Sequence, residues 1–233
     1  FDSDGFTLGY SYNGVGLSLV AWTWDCGSSA VSNSDGDITS TVRVNQSAGQ
    51  SIVTYTGNSS TNKTVGHGLN AAPEMIIIKC RNATSHWTVY HKTTGNNAFT
   101  TLNRTNLSNS LTGPGVMDTT SPTSSVFTVG DYSGTGDASR NFVAYCFAPV
   151  EGYSRMGSWS GNATSGTDQP FIWCGFRPRF IMWKKYAGQT DNWFIFDTAR
   201  NPHNRAENWL TPDNGNQENS DVYNKVDILS NGF

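Results

Sequence analysis

The sequence predicts an all-β protein built from antiparallel sheets. Short apolar or alternating runs lie between clusters of Gly, Asn, Asp and Ser, which favour turns. Charged residues make up only 14% of the chain and aromatic residues 12%, and no run of Ala, Leu, Glu and Lys has a helical period. The runs follow one another too closely for the crossovers that parallel strands need. Sheets of the sandwich or jelly-roll type are therefore expected.

In the first half of the chain, two runs show most clearly why strands are predicted. Residues 41–44 alternate polar with apolar side chains, as a half-buried strand does. Residues 75–78 are apolar throughout, which predicts a strand in the middle of a sheet. Taken in chain order, the predicted strands of this half are residues 5–9, 16–24, 38–44, 51–56, 74–80, 87–91 and 98–102.

The second half continues the same pattern between longer polar intervals. Its predicted strands are residues 125–129, 142–147, 153–159, 171–174, 180–184, 193–197 and 226–229. A single helical turn at residues 206–210 is the only helix candidate. Residues 103–122 and 212–224 are rich in Asn, Ser, Thr and Gly, so both are expected to be long exposed loops.

The chain also contains an internal repeat. Its aligned positions pair Tyr55 with Trp159, Pro73 with Pro178 and Trp87 with Trp193, at offsets of 104, 105 and 106 residues. The repeat predicts a first unit at residues 49–152 and a second unit at residues 153–233, incomplete at its C-terminal end. A partial module at residues 1–48 precedes them. Repeated surfaces built from varied residues are typical of binding and structural proteins.

A further element recurs around these two units. Residues 3–9 match residues 124–130, and residues 228–233 begin the same element once more. In the first two copies the chain continues into a strand, at residues 19–24 and 142–147, but the third copy stops before it. Two explanations remain open: the chain is part of a longer array, or residues 1–24 supply the strand that the second unit lacks. That strand would come from the same molecule or from a neighbour.

Charge and hydropathy exclude several classes of partner. A net charge of −3 and a pI near 5.7 predict binding to neither nucleic acid nor anionic lipid. No apolar stretch is long enough to cross a bilayer, and the first residues do not form a signal peptide. The four cysteines lack CxxC spacing, so they are expected to be small buried side chains without disulfides: Cys26, Cys80, Cys146 and Cys174.

Several motifs, in this order, strongly resemble a repeated and functionally uncharacterised domain of large virion-associated proteins of tailed bacteriophages, many of them marine. They are SDGFTLG (residues 3–9), AVSNSDGDITS (30–40), SIVTYTG (51–57), VGHGL (65–69), FVAYCFA (142–148), VEGYS (150–154) and GFRP (175–178). The resemblance covers nearly the whole chain. It implies a structural protein of a tail fibre or other surface appendage, and it supplies no catalytic residues.

One tryptophan is a candidate platform for a sugar ring. Trp209 follows a polar loop with two arginines, a histidine and several amides. A pyranose could stack on Trp209 while its hydroxyls are held by neighbouring side chains. The candidate ligand-binding residues are therefore Trp209, Arg200, His203 and Asn204. The alternative is that Trp209 fills the base of the loop.

Other chemistry-bearing residues favour structural roles. His67 lies between two glycines, but its repeat counterpart is Cys174, so a histidine that caps backbone groups is expected rather than a catalytic one. Glu151 has no second carboxylate to complete a glycosidase pair. The Asp-Gly segments at residues 35–37 and 131–137 are explained by turns better than by calcium sites. We expect no catalytic residue, no metal and no cofactor.

The function expected from these features is a virion structural protein that is not an enzyme. It would be a fibre or spike segment at the virion surface, made in the host cytoplasm, that adheres to host glycan. Its partners would be other virion proteins and copies of itself, as a trimer by analogy with fibres, with no nucleic acid and no membrane insertion. The alternatives are a decoration or scaffold protein of the capsid or tail and, less favoured, a polysaccharide-degrading enzyme.

Overall fold

The computed structural model describes residues 5–9, 12, 14–27, 29–107, 109–110, 117–118, 120–162, 169–220 and 225–233. Over these residues the protein is all-β and its sheets are antiparallel, as predicted from the sequence. The strands are β1 (Val31–Asn33), β2 (Ser40–Asn45), β3 (Gln50–Thr56), β4 (Lys63–Gly66), β5 (Met75–Cys80), β6 (Thr88–His91), β7 (Ala98–Thr101), β8 (Asn109–Ser110), β9 (Val126–Val129), β10 (Asn141–Phe147), β11 (Phe180–Lys184), β12 (Trp193–Asp197), β13 (Asn208–Trp209) and β14 (Asn219–Ser220).

The main sheet has eight strands in the order β1-β2-β3-β10-β5-β6-β7-β8. Strand β5 lies inside it, with Ile76 and Ile78 fully buried, so the prediction of a central strand is confirmed. Along β2 the buried Val42 stands between exposed neighbours, which confirms the predicted alternation. Both patterns arise because successive side chains of a strand point to opposite faces of the sheet.

One face of the main sheet is covered by the ribbon formed by β4 and β9. Val65 and Phe127 from this ribbon are fully buried against Val53 and Phe142 of the main sheet. Tyr55 stacks on Phe142 with ring centroids 5.3 Å apart and meets Phe127 edge-on at 5.9 Å. The first unit therefore has a core between two layers, as expected of a sandwich.

The opposite face of the main sheet meets the ribbon formed by β11 and β12. The ring of Trp193 packs with Ile77 and Val89, and its indole Nε1 donates a hydrogen bond to the carbonyl oxygen of Thr101 at 2.9 Å. Nearby, Lys184 Nζ donates to the carbonyl oxygen of Thr105 at 2.8 Å. Because these contacts join residues of the first unit to residues of the second, the two are packed together.

The second unit has a smaller core of its own. Its fully or nearly buried side chains are Ile181, Phe196, Ala206, Trp209, Val226 and Ile228. The segments beyond β12 close this core through the short ribbon of β13 and β14 and through isolated bridges between Ile195 and Leu210 and between Ala206 and Val226. Backbone hydrogen bonds thus hold the polar segments after β12 against the apolar core of the second unit.

Repeat-related residues make the same contacts in both units. Residues 65 and 127 pair in the first unit as residues 172 and 233 do in the second. The backbone N–H of His67 donates to the carbonyl oxygen of Ser125 at 3.1 Å. In the second unit, the backbone N–H of Cys174 donates to the carbonyl oxygen of Asn231 at 2.9 Å. The edge-on contact of residues 55 and 127 recurs between residues 159 and 233 at 5.8 Å. The boundaries of the modules stay a prediction.

Several predicted elements are wrong. Residues 5–9, 16–24, 153–159, 171–174 and 226–229 form no strand; at most they make isolated bridges. Their apolar character permits a strand, but no continuous ladder pairs them. The predicted helical turn at residues 206–210 contains β13 instead, because Trp209 pairs with Asn219. The expected loops at residues 103–122 and 212–224 include β8 and β14.

Some predictions fall partly outside the described residues. These are the repeat element at residues 3–4 and, within the two loops, residues 108, 111–116, 119 and 221–224.

The four cysteines are free thiols. Cys80 and Cys146 are buried in the core of the first unit, as predicted, and burial raises the pKa of Cys146 to about 12. Cys26 and Cys174 are only partly buried, so the prediction of a buried side chain holds for two of the four.

Candidate ligand-binding pocket

Trp209 lies on β13 with only 7% of its surface exposed. Its ring stacks near Phe196 at a centroid distance of 6.3 Å and tilts against Phe194 at 6.5 Å. Most of the side chain therefore fills the core of the second unit, as the alternative of a base-filling residue predicts. The remainder contributes to the wall of a surface pocket.

Arg200 is occupied by the protein itself. Its Nε donates to Asp197 Oδ2 at 2.8 Å, its Nη1 to Glu218 Oε2 at 3.0 Å and its Nη2 to the carbonyl oxygen of Ile195 at 2.9 Å. The side chain is largely buried. An arginine with these partners serves as a structural cross-link, because a ligand would have to replace buried charge-assisted hydrogen bonds.

Asp197 is the centre of that cross-link. Besides Arg200 Nε, its carboxylate accepts hydrogen bonds from the backbone N–H groups of Ala199 and Arg200, and from Trp22 Nε1 at 3.3 Å. Burial alone would raise the pKa of Asp197, but the backbone N–H and guanidinium of Arg200 outweigh burial and hold that pKa below its usual range.

His203 and Asn204 also lie apart from the pocket. His203 is exposed, and Asn204 uses its Oδ1 to accept a hydrogen bond from the backbone N–H of Ile228 at 3.0 Å. Neither they nor Arg200 line the cavity beside Trp209. Of the four residues predicted from the sequence, only Trp209 lines this pocket.

The pocket beside Trp209 has a volume of about 300 Å³. It combines two aromatic rings with amide, hydroxyl and carboxylate groups from β12, β13, β14 and the segments next to them. The residues that line it are Asp191, Asn192, Phe194, Trp209, Thr211, Asn214, Asn216 and Asn219. Four of these eight side chains are asparagine amides, each with both donors and an acceptor.

Short-range hydrogen bonds shape the rim of the pocket. Asn214 Oδ1 accepts from Thr211 Oγ1 at 2.7 Å and from the backbone N–H of Asn216 at 3.0 Å. Asn214 Nδ2 lies 3.5 Å from Asn192 Oδ1, across the pocket rim. Side chains that bond to nearby backbone in this way stabilise tight turns. The amides of Asn214 and Asn192 are therefore held in place before any ligand binds.

Charged groups lie beneath and beside the pocket. Asp191 forms an ion pair with Lys185 at 2.6 Å, and its carbonyl oxygen accepts a hydrogen bond from Lys184. Asp213 turns away from the lining: its Oδ1 accepts from the backbone N–H of Trp193, and burial raises its pKa. Among the described residues, one carboxylate lines the cavity, that of Asp191.

The amides of the pocket were not predicted as a site. The signal that would have found them is the density of asparagine after Trp209, at residues 214, 216 and 219. That density predicts only a loop, because asparagine is common in turns. Asn192 lies before β12, and packing of the two segments brings it to the same cavity.

The remaining candidates from the sequence have structural contacts. His67 is fully buried; its Nε2 lies 3.1 Å from the carbonyl oxygen of Thr123, and its Nδ1 accepts from the backbone N–H of Leu69. Burial lowers the pKa of His67. The predicted capping role is confirmed. Asp37 accepts hydrogen bonds from the backbone N–H and the Oγ1 of Thr64, and Glu151 is an exposed turn residue.

The described residues lack two features. They include no group of three or more His, Cys, Asp or Glu side chains that could hold a metal ion. Over the same part of the chain no helix has the length and apolar character needed to cross a membrane.

Comparison with known proteins identifies a family. The profile described as Domain of unknown function (DUF7483) matches residues 1–233. No curated protein and no solved structure matches the chain.

Proposed function

We propose that this chain, which belongs to the DUF7483 family, is a structural segment of a bacteriophage virion that adheres to host-surface glycan. The virion assignment rests on the ordered motifs that resemble repeated domains of virion-associated proteins. The adhesive role rests on one observation: the pocket beside Trp209 combines two aromatic rings with four asparagine amides.

The chemistry of the pocket suits a neutral sugar. Hydroxyl groups of a sugar both donate and accept hydrogen bonds, as do the amides of Asn192, Asn214, Asn216 and Asn219. The C–H face of a pyranose is apolar and packs on an aromatic ring such as that of Phe194. Since the attraction would come from stacking and neutral hydrogen bonds, salt would weaken it little.

Glycan-binding sites that are weak singly can support adhesion when many copies act together. Linked sites raise the effective concentration for each next contact, so avidity can exceed single-site affinity by about two to four orders of magnitude. We therefore place the chain in a homo-oligomeric fibre or spike at the virion surface, together with other virion proteins. A trimer is the proposed form, by analogy with fibres generally.

Binding rather than hydrolysis is favoured by the acidic residues. Glycosidases generally need two carboxyl groups flanking the scissile bond. Within the part of the chain that the structure describes, Asp191 is the one acidic residue of the pocket lining. It is paired with Lys185, and Asp213 lies outside the lining. We propose that the protein is not an enzyme and uses no cofactor.

Substitutions at the pocket are expected to weaken glycan binding without unfolding the protein. Asn192→Ala and Asn216→Ala each remove an amide at the pocket surface. Loss of one hydrogen bond costs about 0.5–1.5 kcal/mol, which is about two- to twelvefold in Kd. We expect the Kd of each single variant to rise by about two- to twelvefold. The Kd of the double variant should rise by the product of the two single factors. Calorimetry with purified host-surface polysaccharide measures both.

The matched control is Asn231→Ala, which removes an exposed amide outside the pocket. It should bind as the unsubstituted protein does, and all variants should keep the same melting temperature. Unchanged glycan binding by the double variant would show that this pocket is not the glycan-binding site. Release of oligosaccharide by the unsubstituted protein, abolished by Asp191→Asn, would show an enzyme instead.

A second function, decoration or scaffolding within the virion, is favoured by a different surface. Phe171 and Trp173 are about half exposed, and Arg155 lies 4.6 Å over the ring of Trp173. Exposed aromatic surface of this kind is typical of protein interfaces.

Location on the particle distinguishes the two functions. We expect antibody raised against residues 51–150 to label the distal tail or fibres of intact virions in electron micrographs. Label spread over the capsid would instead favour decoration, and it would count against adhesion to the host.

A further inference from the structure

One edge of β11 has no strand beside it among the described residues. Strand β11 (Phe180–Lys184) pairs with β12 on its other side only. Its repeat counterpart, β5, is paired on both sides, with β6 and with β10. An open edge presents a row of backbone donors and acceptors that another strand can pair with.

Residues 19–24 have the sequence character of the strand that covers this edge in the first unit. Leu19, Ala21 and Thr23 align with the β10 residues at positions 142, 144 and 146, which are fully buried on one face of the main sheet. Trp22 and Trp24 align with the aromatic residues at positions 145 and 147, on the other face. Leu19 is 61% exposed and Trp24 is 48% exposed, although both belong to an alternating pattern.

The existing contacts of this segment already match the register of the first unit. There, Phe147 of β10 lies opposite Met75 of β5. The corresponding residues of the second unit, Trp24 and Phe180, are in edge-on contact at 5.9 Å. Trp22 also meets the Phe180 ring at 6.0 Å, as expected of a diagonal neighbour on the same face of a sheet.

The segment is also tethered where the strand would end. The carbonyl oxygen of Asp25 accepts a hydrogen bond from Asn45 Nδ2 at 3.1 Å, and that of Gly27 accepts one from Arg43 Nη2 at 2.8 Å. Trp22 Nε1 donates to the Asp197 carboxylate. These bonds hold the end of the segment next to Phe180 in its own chain.

We propose that residues 19–24, which form no continuous ladder in this structure, pair with the open edge of β11 in the same chain as a third strand of the second unit. The strands run antiparallel in the register from Trp24 opposite Phe180 to Leu19 opposite Lys185. This docking places Leu19 over Trp159, as Phe142 covers Tyr55 in the first unit. It pairs the backbone groups along this edge of β11. The proposal is independent of glycan binding.

A disulfide at the far end of the proposed strand tests the register. Leu19→Cys and Lys185→Cys replace two exposed residues, and opposed Cα atoms in antiparallel strands lie about 4.5–5.5 Å apart, within disulfide range. In the full chain, Cys26→Ser and Cys174→Ser also remove the two partly buried thiols, which could form other disulfides. The remaining cysteines, Cys80 and Cys146, are buried and stay unchanged. The matched control replaces Leu17, another exposed leucine two residues earlier, together with Lys185.

After mild oxidation, non-reducing electrophoresis and peptide mapping give the result. The proposal expects an intramolecular 19–185 disulfide in most molecules and at least about tenfold less for the 17–185 pair. Equal cross-linking of both pairs, or none, would overturn it. A 19–185 disulfide found only in dimers would show that a second copy supplies the strand.

Hydrogen exchange on the unsubstituted chain provides a test that requires no variant. The amides of residues 19–24 that donate to β11, every second one in an antiparallel pair, should exchange at least about tenfold more slowly than those of the exposed residues 6, 8 and 9. Equal exchange in the two segments would contradict docking.

Discussion

Trp193→Ala is expected to lower the free energy of unfolding by about 3–5 kcal/mol. The indole is 5% exposed and packs between the two units against Ile77 and Val89. Its removal leaves a large cavity and also leaves the carbonyl oxygen of Thr101 without its hydrogen bond. Urea denaturation followed by circular dichroism measures the change.

The repeat provides a matched control for this substitution. Trp87 occupies the equivalent position in the first unit, but its ring is only partly buried and stacks on Tyr145 at 6.3 Å. Trp87→Ala should therefore cost clearly less than Trp193→Ala. Equal losses would contradict a special role for Trp193 in joining the units.

Asp197→Ala is expected to cost a similar amount, about 3–5 kcal/mol, because it breaks a buried ion pair. The substitution leaves the largely buried Arg200 guanidinium without the partner of its Nε. It also removes the acceptor for the backbone N–H groups of Ala199 and Arg200. Asp227→Ala, at an exposed carboxylate, should change stability by less than about 0.5 kcal/mol.

The effect of Asp197→Ala should depend on pH in a defined direction. The pKa of Asp197 is lowered in the folded protein, so ionised Asp197 stabilises the fold above its unfolded pKa of about 3.9. This part of its contribution is lost as pH falls below that value and through the lower folded pKa. Urea titrations should show the difference between the two proteins shrinking below about pH 4. A difference that stays constant down to pH 2 would contradict the role of the charge.

Most strands of the first unit could be predicted because their signals are local. Residues 74–80 and 142–147 are almost wholly apolar, and their strands lie inside the main sheet. The bounds of β11 and β12 agree with the predicted ones. Residues 16–24 and 153–159 carry equally good local patterns but form no strand. Sheet formation also needs a partner, and partners are separated widely along the chain.

The candidate site could be predicted only in part. Its position after a polar loop predicts that Trp209 belongs to a site, but the residues nearest to it in sequence are not those nearest in space. Arg200 turns to Asp197 and Glu218, while Asn192 comes from before β12. A buried arginine pairs with the closest carboxylates whatever their sequence position, so its role depends on packing.

The sequence by itself determined the all-β class, the alternation within the strands and the repeated elements. These properties follow from side-chain character and the two-residue period of a strand, which are local. The tertiary structure alone decided that the second unit packs on the outer face of the main sheet, that Arg200 is a cross-link and that four asparagines meet beside Trp209. Each of these features depends on contacts between residues far apart in the chain. Such contacts form only where the side chains pack closely and buried polar groups find hydrogen-bond partners.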